Sequence, residues 1–293
     1  MSRPIKKIVK GSWQNEGNGA RVLRSIGGSQ LRNLDPFLML DEFCVTWPAG
    51  FPDHPHRGFE TVTYMISGAT EHEDFVGHKG VIKVGDVQWM TAGRGVMHSE
   101  MPHGDKEAIG LQLWVNLKKT DKMVQPSYQE LKDADIPKVT SEGVTVKIIA
   151  GETMGVKSQV RTLTPSYYFD ISMEKGAHMK LPLPKGWTTF VYTLTGTVQF
   201  GPSAQVKEVE EHSTVVFEDG EMVEAQNKGD KPARFVLLSG QPIGEPVVQH
   251  GPFVMNTAED IQATIKDYHN TTNGFERARK WKSRSGNRLL QSS

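Results

Sequence analysis

The chain has 293 residues, comfortable for two domains and long enough to bury stable cores without covalent staples. Its 34 Lys and Arg balance 34 Asp and Glu, which excludes bulk electrostatic attraction to nucleic acid or to an anionic membrane surface. A single cysteine, Cys44, excludes an internal disulfide and fits a reducing compartment.

The N-terminal stretch Met1-Ser-Arg-Pro-Ile-Lys-Lys-Ile-Val-Lys10 lacks the apolar core of a secretory signal. No later run approaches the roughly 20 apolar residues that span a bilayer, so a soluble intracellular protein is expected. The 29 glycines and 16 prolines fit a turn-rich β protein.

The chemistry is concentrated between Phe51 and Glu100. His54-Pro-His56 is followed closely by Glu60, and His98-Ser-Glu100 comes some forty residues later. Thr61–Ser67 and Val81–Val87 lie between and read as strands broken by turns at Gly68 and Gly85. Residues i and i+2 on a strand share a face, so each H-x-[HE] pair can aim two ligands into one pocket. Two such pairs can close around one metal ion. Burying that many polar groups without a partner would be costly. Spacing leaves the carboxylate open: Glu60 shares strand parity with His54 and His56, and Glu100 shares it with His98. No cysteine lies in either motif, which argues against a structural zinc cage. Imidazoles plus a carboxylate with open positions lean towards non-haem iron.

Arg57 and Arg94 flank these runs and could attract an anionic substrate or form loop salt bridges. His72, His78 and His103 stand in polar surroundings and read as exposed. Phe51, Phe59, Met65, Phe75, Trp89 and Trp114 supply apolar surface, most for a core and a minority for a pocket suited to a flat aromatic molecule. Gly93-Arg94-Gly95 reads as a tight loop positioning His98; no P-loop lysine follows it.

Ile109–Asn116 alternates cleanly, with Leu111, Leu113 and Val115 on one face and Gln112 and Trp114 on the other. The polar stretch 118–143, interrupted by Pro126 and Pro137, is the expected boundary, dividing the chain into 1–130 and 131–293. Strand patterns restart at Val144–Ile149 and Tyr167–Ile171.

A repeat underlies the division. His54–Gly68 aligns without gaps on Pro182–Gly196, an offset of 128 residues (182 minus 54). Gly58 pairs with Gly186, Phe59 with Trp187, Tyr64 with Tyr192 and Gly68 with Gly196. The second copy carries Pro182 and Pro184 in place of His54 and His56, and Thr188 in place of Glu60, so one metal per chain is expected, in the N-terminal domain. His178 and His212 read as surface or loop residues. Thr257 with Asp260 predicts a helix over 258–270, with Ile261, Ile265 and Tyr268 on its packing face. Arg277, Arg279, Lys280, Lys282, Arg284 and Arg288 form a basic tail, explained by solvation or, alternatively, by nuclear localisation or phosphate binding.

This layout resembles the cupin signature, His54-Pro-His-Arg-Gly-Phe-Glu60 with Gly68 standing for the first motif and Gly85 to His98 for the second. Gly68 falls one residue late, Thr91 stands where proline is usual, and Ala92–Gly95 is lengthened. These departures match the pirins, as do Asp53–Tyr64, Ala92–Glu100 and the terminal run from Gly251 to Lys282. The resemblance spans about Arg21 to Lys282. It implies an all-β bicupin, two cupin β-barrel (jelly-roll) domains with a short C-terminal helix. It assigns the metal to His54, His56, His98 and Glu100, leaves Glu60 one shell out, and favours iron.

The resemblance implies two functions. The first is a quercetin 2,3-dioxygenase-type reaction on a flavonol-like or catechol-like substrate with O2, releasing carbon monoxide, with Glu100 as the catalytic base. The second is a nuclear iron protein that senses redox state and binds a transcription factor as a coregulator, without direct contact to nucleic acid. A monomer in nucleus and cytoplasm is expected.

Overall fold

The computed structural model describes residues 1–16 and 19–287; Arg288 of the basic tail lies outside the described residues. Among the described residues the fold is all-β apart from a short 3-10 turn and one α-helix, Ala258–Asn270. Among the described residues no helix is long and apolar enough to cross a membrane.

Two compact units are built alike, each from a seven-stranded and a four-stranded antiparallel sheet. In one, Phe59–Ser67 lies between Val87–Thr91 and Ala108–Asn116; in the other, Thr188–Thr195 lies between Ser213–Phe217 and Ala233–Gly240. The repeat therefore places its two copies at equivalent strands. Its aligned glycines are explained by the turns that bound them: Gly68 and Gly196 have φ of 67° and 74°, where a side chain is strained. Gly58 has a second constraint, because a Cβ there would lie 2.0 Å from the carbonyl oxygen of Val254.

The units are not continuous in sequence. Met1–Ser12 and Ser25–Pro36 join Ala134–Pro242, while the residues from Ile243 onward join Trp13–Arg24 and Phe37–Asp133. A linear division at 130/131 therefore does not describe them. The reason is pairing and packing: Ile5–Lys10 adds an edge strand to Ser213–Phe217. The C-terminal segment buries Phe253, Ile261, Phe275 and Ala278 against Phe75, Met90, Val96 and Met97.

The helix begins where its cap predicts. Thr257 Oγ1 accepts from the Asp260 amide at 3.1 Å, and Glu259 and Asp260 complement the helix dipole in the first turn. Thr271 ends the helix in the left-handed conformation. In the second unit the interior is filled by apolar side chains, among them Phe169, Leu181, Val191, Phe200, Val223 and Phe235. Pro182 stands exposed at a strand end.

Candidate metal centre

Phe51–His56 and Val96–Pro102 are neighbouring antiparallel strands whose register sets His98 opposite His54. Between this pair and the next, Phe51 with Glu100, two residues of one strand (Pro52 and Asp53) oppose one residue of the other (Ser99). This is a β-bulge, a device that re-aims side chains. Here it brings the His54 and His98 Nε2 atoms to 2.9 Å. His56 joins them, with ring centroids 4.7 Å from His54 and 5.0 Å from His98. One ligand atom from each of the three lies within 4.8 Å of the others.

The hydrogen bonding fits a cation. His54 Nδ1 lies 2.8 Å from the Pro52 carbonyl, so its N–H points there and Nε2 carries the lone pair. The Nδ1 atom of His98 is buried without a hydrogen-bond partner among the described residues, while the Pro252 backbone accepts from His56. Burial lowers all three imidazoles below their usual range, and the neighbouring rings push His56 and His98 lower still. For His54 the Glu100 carboxylate opposes the effect of burial. Neutral imidazoles are the form that binds a metal.

Glu100 sits beside this group, outside the set of converging atoms. Thr63 Oγ1 donates to Glu100 Oε1 at 2.7 Å, and Gln112 Nε2 donates to Oε2 at 2.9 Å. Phe59 and Trp114 meet the His56 ring edge-on at 5.2 and 5.4 Å. Trp114 and Gln112 share the strand face that the alternation of Ile109–Asn116 predicts. Nothing in the spacing of Gln112 and Thr63 along the sequence links them to Glu100.

Glu60 stands apart. Its parity with His54 and His56 is lost because Gly58, at φ 90°, turns the chain from one sheet into the other. Phe59 and Thr63 then face the site, and Glu60 faces the opposite way. Thr91 Oγ1 donates to Glu60 Oε1 at 2.7 Å, and burial pushes the carboxyl up to about 7. Among the described residues no hydrogen bond joins Glu60 to a histidine.

His72 corrects the expectation of exposure: it is 2 % exposed, while His78 and His103 are open to solvent. The alternation Thr70-x-His72-x-Asp74, buried at each named position, carries the signal. His72 Nε2 lies 2.8 Å from Glu130 Oε1 and holds that carboxyl down at about 2. Arg57 is also buried. It donates to the Arg94 and Asn273 carbonyls at 2.7 and 2.6 Å and pairs with Asp267 at 2.8 Å, so it joins the first motif to the helix. Arg94 pairs with Glu276 at 3.5 Å. The salt-bridge reading of both arginines holds.

Two family descriptions match the chain: "Pirin" over residues 19–115 and "Pirin C-terminal cupin domain" over residues 168–274. It is 54 % identical over 287 residues to the human protein named Pirin, covering 98 % of this chain and 99 % of that one. The chain belongs to the pirin family. It is 56 % identical over 287 residues to a pirin-like protein of Solanum lycopersicum, covering 97 % and 98 % of the two chains. Among solved structures it resembles a quercetin 2,3-dioxygenase from Acinetobacter baumannii, with a TM-score of 0.84 and 33 % identity over 92 % of this chain and 98 % of that one. The three histidines that converge all lie within the matched pirin segment, and the proline-substituted copy lies in the matched C-terminal cupin domain.

Proposed function

We propose that this pirin is an iron-dependent oxygenase of the quercetin 2,3-dioxygenase type, its metal held by His54, His56 and His98 with Glu100. The observation that carries the reading is the convergence of three imidazoles, with the Nε2 atoms of His54 and His98 2.9 Å apart. Likeness in fold to a solved quercetin 2,3-dioxygenase supports the reaction class. When bound, iron supplies Lewis acidity and open positions for an oxygen-bearing substrate and dioxygen.

The surrounding residues have separable tasks. Thr63 and Gln112 each donate to one Glu100 oxygen, which holds the carboxylate still. Glu100 then takes the 3-hydroxyl proton of a flavonol, leaving an electron-rich flavonolate. Trp114, partly exposed beside His56 and backed by the buried Phe59, presents aromatic surface that suits a flat ring. Reaction of the flavonolate with dioxygen conserves atoms if the ring opens to a depside and one carbon leaves as carbon monoxide.

The test is metal analysis of the purified chain followed by oxygen uptake with quercetin under air. Oxygen consumption with release of carbon monoxide supports the oxygenase. Iron-loaded protein that consumes no oxygen overturns it in favour of an iron-dependent binding protein, whose partner would be a transcription factor.

A further inference from the structure

The C-terminal residues Ser283–Asn287 contact the strands that carry the histidines. Ser283 Oγ donates to Asp53 Oδ1, and the Ser283 amide lies 3.3 Å from both Asp53 oxygens. Asn287 Nδ2 donates to Asp53 Oδ2 at 3.1 Å and to the Ser283 carbonyl at 2.9 Å. On the next strand but one, Glu73 accepts from the Arg284 and Ser285 amides at 3.1 and 2.9 Å. Between these anchors, the Ser285 and Ser99 hydroxyls meet at 3.2 Å. Ser283 and Ser285 are 1 % and 0 % exposed. The turn is tight: a Cβ on Gly286 would lie 2.6 Å from Ser283 Oγ.

The positions of the anchors give these contacts their meaning. Asp53 precedes His54 and is one of the two residues of the bulge. Ser99 is the residue opposite that bulge, between His98 and Glu100, and Glu73 is its register partner on the third strand. Ser99 points away from the face that His98 and Glu100 share. One short segment thus grips, from the back, the irregularity that aims His54 at His98. Pro52, the other bulge residue, holds the His54 ring through its carbonyl.

We infer that Ser283–Asn287 is a positioning strap that locks the Pro52–Asp53 bulge and so sets the direction of His54 towards His98. The inference rests on the metal reading of the three histidines. A bulge has unpaired backbone and can relax by shifting the register locally. With the strap in place, Asp53 is held by Ser283 and Asn287, and relaxation would break several hydrogen bonds at once. Without it, His54 keeps its place in the chain but loses its fixed approach to His98.

The test is titration of the metal-free protein with Co(II), reading affinity and the visible ligand-field bands, together with thermal melting of the metal-free form. The proteins are wild type, a chain ending at Lys282, Ser283→Ala and Ser283→Thr. Truncation is expected to weaken Co(II) binding towards the 10–100-fold range seen when groups orienting metal ligands are removed, and to change the visible bands. Ser283→Ala should move both readouts the same way, and Ser283→Thr, which keeps the hydroxyl, should restore them. A strap that merely adds stability would lower the melting temperature and leave the cobalt bands unchanged. Unchanged Co(II) affinity and bands in the truncated chain and in Ser283→Ala overturn the inference. If the truncated chain does not fold, the Ala and Thr variants decide it alone. Wild-type protein that takes up no cobalt overturns the metal reading and the strap together; wild type and variants that bind alike overturn the strap alone.

Discussion

His54 and His98 face each other across two antiparallel strands with their Nε2 atoms 2.9 Å apart. Two neutral imidazoles can share one proton at that distance, or a cation can take both lone pairs. The third ring, His56, adds a lone pair on the same side. A metal satisfies all three at once.

Replacing His54, His56 or His98 by Ala should each remove most of the bound metal, which should stand at one ion per chain in the wild type. The fold should survive, since the core is built from apolar strands, and the cost should stay within the ordinary 0.5–3 kcal/mol of single substitutions. Elemental analysis and thermal melting check both statements. Two tightly bound ions per wild-type chain, or variants unfolded at ordinary temperature, would contradict them.

Acid should weaken the site and the metal-free fold together. The folded pKa values of His56 and His98 lie well below 6.5, so between that value and the folded values the unfolded chain binds more protons. Stability from these groups is therefore present above about 6.5 and lost as pH falls. Urea unfolding of metal-free protein at several pH values should show this loss, and His98→Gln should reduce it. An identical profile in that variant would assign the acid sensitivity elsewhere.

Glu60 should behave with the opposite sign. Its folded pKa is raised from 4.5 to about 7, so its contribution is present below 4.5 and fades as pH rises through about 7. Glu60→Gln mimics the protonated form and should raise stability at pH 8 relative to wild type. Glu100→Gln, kept iron-loaded, should lose more quercetin turnover than Glu60→Gln. If Glu60→Gln is inactive while Glu100→Gln turns over normally, Glu100 is not the base.

Lys122 links the first motif to the C-terminal segment. Its ammonium donates to the Gly58 carbonyl, Asn116 Oδ1 and the Val254 carbonyl at 2.8, 2.7 and 3.1 Å. Lys122→Met would remove the buried donor of the Gly58 and Val254 carbonyls, at about 1–3 kcal/mol for each group that water cannot reach. Denaturant unfolding should show that loss, and a neutral effect would mean that water replaces the ammonium.

Much of this molecule is determined locally. The Thr257 cap and the Ile261, Ile265 and Tyr268 spacing suffice for the helix, because its start depends on one hydrogen bond within the chain. The paired glycines of the repeat follow from backbone conformation, and the H-x-H and H-x-E pairs follow from the two-residue period of a strand. Tertiary structure decided what that period could not carry across a turn. Gly58 moves the chain into another sheet, so Glu60 leaves the face that parity assigned to it, while a bulge at Asp53 brings His54 onto His98. His72 becomes buried because its strand lies between two others, which neighbouring residues in sequence do not report. The exchange of chain ends between the units, and the grip of Ser283 on Asp53, depend on contacts across most of the chain's length, where only pairing and packing choose the partner.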